Sequence, residues 1–151
     1  MDKRVGYLDV KTSSVYFHVR KSANFSNPSG NVSTATIPFE VEMMNIGNGM
    51  NVTSGMFTAP KAGIYHFAFS GLKRDGGTWV YLKLNGANIA ATHGASEPGI
   101  YTMSLEATAK LKIGDKIYLT IGGYGSSMFD NGDHFNGFTG ALLEEDLTAL
   151  Q

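Results

Sequence analysis

Gly63-Ile64-Tyr65-His66-Phe67-Ala68-Phe69 is the stretch that decides the fold of this chain. Its aromatic residues recur at every second position, so Tyr65, Phe67 and Phe69 share one face of a strand while His66 lies on the other. Three rings on one face bury enough apolar surface to anchor a sheet, at about 25 cal/mol per Å² buried. Upstream, Phe39, Asn45, Met50 and Phe57 lead towards this strand, and Thr58-Ala59-Pro60 stands just before Gly63.

The bulk properties bound the answer. A chain of 151 residues is one domain by length, long enough to bury roughly 68–70% of its unfolded surface. With 42% hydrophobic and 17% charged residues, the composition is not that of a disordered chain. A formal net charge of −1 supplies no global field for nucleic acid or an anionic membrane. Nineteen glycines against four prolines suit short strands joined by tight turns. The absence of cysteine removes disulfide frameworks, thiolate zinc sites and cysteine nucleophiles together. No run approaches the roughly 20 apolar residues of a membrane span. Residues 1–10 carry Asp2, Lys3 and Arg4 without the apolar core of a secretory signal. Asn24, Asn31 and Asn51 head Asn-x-Ser/Thr triplets and are acceptors for N-glycosylation if the chain is exported.

Along the chain, residues 1–14 are expected to form a lead-in arm, 15–144 a globular domain and 145–151 a polar tail. Val15 to Arg20 reads as a first strand with Val15, Phe17 and Val19 facing inwards. Asn24 to Thr34 reads as a loop. A short strand around Ile37 and Phe39 follows, marked by Pro38 as an edge or a strand start. Thr78 to Leu84 reads as a strand closed by Asn85-Gly86, the favoured type I′ hairpin pair. A short strand surrounds Ile89, and His93, Gly94 and Pro98 are read as loop. Ile100 to Leu111 is long enough for a helix, yet Tyr101, Met103, Leu105, Ala107 and Ala109 alternate, which favours a strand. Gly114-Asp115 turns the chain into Lys116–Ile121, Gly122 to Asp133 is glycine-rich loop, and Phe138 to Leu143 closes the domain. Strands at such spacing, with turn signals between them and no internal repeat, define a sandwich or barrel.

The spaced pattern Phe39, Asn45, Met50, Phe57, Gly63-x-Tyr65-x-Phe67, Phe69 resembles the signature of the C1q globular domain. Methionine at position 50 replaces the usual aromatic or leucine. Val80-Tyr81-Leu82 leading into Asn85-Gly86 looks like the family's strand and turn. Leu111 through Gly114-Asp115 to Ile117 resembles its Leu-x-x-Gly-Asp-x-Val. Phe138-Thr139-Gly140 with Leu142-Leu143 resembles its closing strand, with Ala141 in place of an aromatic. The resemblance implies an all-β, ten-stranded jelly-roll sandwich of the C1q and tumour necrosis factor type. It further implies a homotrimer whose first, third, sixth and last strands line the three-fold axis.

Chemistry-bearing residue types are present without the arrangement chemistry needs. Ser126, Ser127, Asp130 and His134 fall within one loop, whereas catalytic triads are assembled across a fold beside oxyanion donors; an enzyme is not expected. His18, His66, His93 and His134 are scattered, without ligand spacing. Several relatives bind calcium through loop aspartates, but here the matching loops offer Asn85, Asn88 and His93 with Glu97 alone acidic, and calcium takes several charged oxygens. Asp130-Asn131-Gly132-Asp133 lacks the spacing and distal glutamate of a calcium loop. No cofactor is therefore expected. Basic residues are dispersed, meeting no more than two at a time as at Lys73-Arg74, so no nucleic-acid stripe is read.

Recognition is the function these residues imply. Val80, Leu82 and Leu84 alternate with Trp79, Tyr81 and Lys83, so an inward aliphatic set sends the aromatic set outwards. Tyr118 is likewise out of phase with Ile117 and Leu119. In the resembling fold these strands are neighbours, and the rings form one exposed platform on which sugars stack; the structural alternative is cross-strand pairing that stabilises a sheet by about 0.2–1 kcal/mol per pair. Lys73, Arg74, Asp75, His93, Tyr124, Asp130, Asn131 and His134 are candidate loop contacts. The resemblance implies a secreted, multivalent binder of microbial glycans, lipopolysaccharide or protein in innate immunity. A signalling ligand for a protein receptor and a structural surface trimer are the rival readings.

Overall fold

The computed structural model describes residues 14–27, 35–74, 76–94, 97–123 and 126–150. In chain order the strands are β1 (Tyr16–Arg20), β2 (Phe25–Ser26), β3 (Ala35–Thr36), β4 (Val41–Ile46), β5 (Met50–Asn51), β6 (Met56–Thr58), β7 (Gly63–Lys73), β8 (Thr78–Leu84), β9 (Ala87–Gly94), β10 (Tyr101–Leu111), β11 (Lys116–Gly122), β12 (Ser127–Met128) and β13 (Gly137–Glu145). A single 3-10 turn, Leu147–Leu150, is the one helical element among the described residues. The strands make two antiparallel sheets. One runs β2-β12-β7-β13-β1-β4, with β10 on the free side of β7; the other runs β5-β6-β11-β8-β9, with β3 on β11.

The alternation read in the sequence is the alternation of burial. Along β7, Tyr65, Phe67 and Phe69 are buried, whereas Ile64, His66 and Ala68 are half-buried on the opposite side. Phe17 from β1, Phe138 from β13 and Phe67 stand on the first sheet, and Phe57 from β6 crosses to meet them from the second. The Phe17 ring lies 5.1 Å from Phe57 and 5.0 Å from Phe138, and Phe57 lies 5.8 Å from Phe67. Val80 and Leu82 of β8 and Ile117, Leu119 and Ile121 of β11 supply the aliphatic half of the same core. The Tyr65 hydroxyl escapes it by donating to the Lys61 carbonyl at 2.7 Å. Burial raises that phenol to about 12.

Local chemistry fixes the register. The Asn45 side chain clamps its turn from both ends: Nδ2 donates to the Met50 carbonyl at 2.7 Å, and the Met50 amide donates to Oδ1 at 3.1 Å. Asn85 and Gly86 both take positive φ, 49° and 91°, as a type I′ pair requires. Lys116 N–H donates to Asn85 Oδ1, tying the β8–β9 hairpin to β11.

Several sequence expectations shift. The strand expected around Ile37 and Phe39 is not there: Ala35–Thr36 pairs with β11, residues 37–40 are irregular, and pairing resumes as β4 at Val41. Pro38 cannot donate to a ladder, which breaks the segment at that point. Phe25–Ser26 and Ser127–Met128, both in stretches read as loop, pair with each other. His93 and Gly94 belong to β9, opposite Trp79 and Thr78. Of the expected arm, residues 1–13 lie outside the described residues.

Gly140 shows how tightly the core is closed. A methyl group there would come within 2.3 Å of the Phe17 ring and 2.8 Å of Phe67. Gly140→Ala is therefore expected to cost about 1–3 kcal/mol of unfolding free energy, read as a lower denaturant midpoint with an unchanged slope.

Candidate functional site

The outer face of the second sheet carries the aromatic row. Trp79 is 40% exposed, and Tyr81 and Tyr118 are half-buried on the same side. Cross-strand register sets Trp79 against His93, Lys83 against Tyr118, and Thr120 against Tyr81. The Trp79 indole stacks on His93 with ring centroids 3.8 Å apart and planes 12° apart, and lies nearly parallel to Tyr81 at 6.4 Å. Lys83 Nζ sits 5.5 Å from the Tyr81 ring centre. The three aromatics singled out from the sequence are thus brought onto one face, and the His93 imidazole joins them through β-pairing. Part of the indole is taken by that stack, which ties β8 to β9 through a residue read as loop.

The candidate loop contacts divide. Lys73 is a correction: it ends β7 and is fully buried. Its ammonium donates to the Glu97 and Gly76 carbonyls and lies 4.9 Å from the Tyr101 ring centre. Gly94 leaves room for its stem, since a Cβ there would stand 2.6 Å from Lys73 Cγ. Asp130 is a second correction, being 4% exposed. Its carboxylate accepts from the Gly132, His134 and Asn136 amides and from the Asn136 side chain. Burial would raise this carboxyl, but those donors outweigh it and hold it below the usual carboxylate range. Both side chains are spent on holding their own loops. Arg74 and Asn131 are exposed, His134 is half-buried, and Asp75 and Tyr124 lie outside the described residues.

His134 Nδ1 contacts the Lys21 carbonyl at 2.8 Å, while the Ser126 hydroxyl is buried without a hydrogen-bond partner. Ser126, Asp130 and His134 therefore form no proton relay. Asn24 and Asn51 are exposed, and Asn31 lies outside the described residues.

Sequence reasoning missed one grouping. Arg74 packs over the Phe129 ring at 5.3 Å, and Phe129 stacks on exposed Phe135 at 6.1 Å. Phe135 and His134 border a cleft on the solvent face of the first sheet, floored by Arg20, His18, Ser70 and Ser104. Arg20 Nε donates to His18 Nε2 at 3.0 Å. Burial, then the Arg20 charge, holds His18 below the ordinary histidine range. Phe129 and Phe135 flank the Asp-Asn-Gly-Asp turn, and aromatics bracketing such a turn were the available signal.

Two facing antiparallel sheets in this strand order form a jelly-roll sandwich of the C1q and tumour necrosis factor type. The chain belongs to the C1q domain family, whose model matches residues 16–143. It is 32% identical over 136 residues to mouse complement C1q tumor necrosis factor-related protein 3, covering 87% of this chain and 52% of that one. The human protein of the same name matches over the same shares. The chain thus spans about half the length of these curated relatives. Among solved structures it is similar to the globular domain of zebrafish complement 1qA, with a TM-score of 0.71 at 17% identity over 87% of this chain and 99% of that one. It also matches the Eiger TNF of S. frugiperda, with a TM-score of 0.68 at 11% identity over 89% and 95%. Domains of this family are not enzymes.

Removing the Asp130 carboxylate orphans its amide donors, so Asp130→Ala is expected to cost about 1–3 kcal/mol. A carboxyl depressed in the folded state contributes stability above its unfolded value of 3.8 and loses it as pH falls through the lower folded value. Acid titration of unfolding should show that loss in the parent and a smaller one in the variant.

Proposed function

We propose that this chain is the head of a secreted homotrimer that binds microbial or other glycans without catalysis, its avidity coming from three copies. The solvent side of the first sheet carries the observation that supports assembly. There Ile46, Tyr16, Ala141 and His66 fall in one row across β4, β1, β13 and β7. Met44, His18, Thr139 and Ala68 form the next row. Tyr16, Met44, Ile46 and Leu143 are 39%, 43%, 45% and 61% exposed, although the core on the other side is already filled. The face is apolar towards β4 and β1 and polar towards β10, where Glu106 and Thr108 reach His66. Two unlike halves suit a head-to-tail interface, the kind that closes into a ring. Three weak sites on one ring gain avidity by about 10² to 10⁴ when geometry permits.

Glycan recognition rests on the Trp79–His93–Tyr81 row on the opposite sheet, which a trimer built on the first sheet leaves outward. Extracellular placement follows the family reading and makes exposed Asn24 and Asn51 acceptors. Receptor signalling is the second reading, favoured by the match to a tumor necrosis factor-related protein.

Sedimentation of the parent should report a trimer, and Ile46→Glu should shift it to monomer with the β-sheet spectrum unchanged; a monomeric parent removes the multivalent reading. On a glycan array, Trp79→Ala should abolish binding with the fold intact. A silent array for the parent, with capture of a cell-surface receptor, turns the assignment to signalling.

A further inference from the structure

Asparagine followed by glycine is the dipeptide in which a chain can attack itself, because glycine carries no side chain to shield its main-chain nitrogen. That nitrogen adds to the asparagine Cγ, ammonia leaves and a succinimide ring forms. Water then opens the ring to aspartate, or to isoaspartate, whose main chain runs through the former side chain. Two groups must be at liberty for this: the carboxamide of the asparagine and the N–H of the glycine. The chain has four such steps, Asn48-Gly49, Asn85-Gly86, Asn131-Gly132 and Asn136-Gly137, and the fold treats them differently.

Three of them are held. Asn85 Oδ1 accepts from the Lys116 amide at 2.8 Å, and its Nδ2 donates to Asp115 Oδ1 at 3.0 Å. Asn131 Oδ1 accepts from the Asp133 amide at 3.1 Å, and the Gly132 N–H is itself spent on Asp130 Oδ1 at 3.0 Å. Asn136 is fully buried, its Oδ1 accepting from the Leu72 amide and its Nδ2 donating to the Phe129 carbonyl. Asn48 differs. It is exposed at the turn between β4 and β5, and among the described residues neither its carboxamide nor the Gly49 N–H has a hydrogen-bond partner. The bonds of this turn lie around the step: Asn45 grips Met50, and the Gly49 carbonyl accepts from the Thr58 amide. The bond from Asn48 N–H to the Asn45 carbonyl is a long 3.4 Å.

We infer that Asn48 is where this chain modifies itself first, by hydrolytic deamidation to aspartate and isoaspartate, ahead of the other three steps. The product places a new carboxylate two residues past Ile46, at the apolar end of the face assigned above to self-association. Isoaspartate also adds one main-chain atom to a turn that Asn45 clamps at both ends. Converted protein should therefore associate less well. The site itself does not depend on the trimer reading; its effect on assembly rests on it.

The test ages the purified protein in mildly alkaline buffer and follows each Asn-Gly peptide by mass spectrometry, with isoaspartate scored by methyl transfer from a protein isoaspartyl methyltransferase. Asn48 should convert at least about tenfold faster than Asn85, Asn131 or Asn136, the scale set by one hydrogen bond that must open first. Conversion should quicken as pH rises, since the attacking nitrogen must lose its proton. Asn48→Gly, which suits the positive φ of 57° at that position, should remove the early product. Conversion of any other step as fast as Asn48, or an early product that persists in Asn48→Gly, overturns the site. A converted fraction that sediments with a trimeric parent overturns the effect on assembly and leaves the site standing. A monomeric parent overturns the trimer reading and the effect on assembly together, while the peptide masses still decide the site.

Discussion

Contact between Phe57 and the rings of Phe17 and Phe67 holds the two sheets face to face, and the remaining architecture follows from it. Each sheet alone presents an apolar side that water penalises, and the aromatic cluster is where the two penalties are relieved together. Because neighbouring side chains alternate, committing Tyr65, Phe67 and Phe69 to that cluster commits His66 and Ala68 to the opposite side. The same step on β8 sends Trp79, Tyr81 and Lys83 outwards once Val80 and Leu82 face in. Core and candidate surface are therefore two readings of one periodicity, and a one-residue slip would exchange them.

That coupling explains what was legible in the sequence. β1, β7, β8, β10 and β11 were readable because each buries one side and shows the other to solvent. β4 was not, since Val41–Ile46 lies at a sheet edge with Glu42, Met43 and Met44 all exposed, and no alternation marks it. The aromatic row was legible down to its residues, whereas its partner His93 was not. Pairing opposite Trp79 depends on how far β9 runs beyond Ile89, and no local signal sets that length.

Lys73 and Asp130 show a different limit. Charged and polar residues in glycine-bearing stretches read as solvent-facing, and for Arg74 and Asn131 that holds. Lys73 and Asp130 instead turn inwards because loop backbone groups, carbonyls for one and amides for the other, replace the water they give up. Which of two adjacent basic residues does this is decided by strand phase at the end of β7, where Lys73 follows Phe69 and Gly71 on the buried side. Lys21, directly after β1, repeats the solution, its ammonium shared between the Pro38 carbonyl and Glu40.

The interior position of the Lys73 ammonium has a consequence for the rim that surrounds it. A positive centre that gathers carbonyls from two separate loops does the work of a bound ion, but it is tethered by four methylenes to a core strand. It cannot be washed out, exchanged or competed for, so the spacing of the β7–β8 and β9–β10 connections is written into the covalent chain and does not vary with the mineral content of the medium. The rim above it is held from beneath by a charge it never has to recruit.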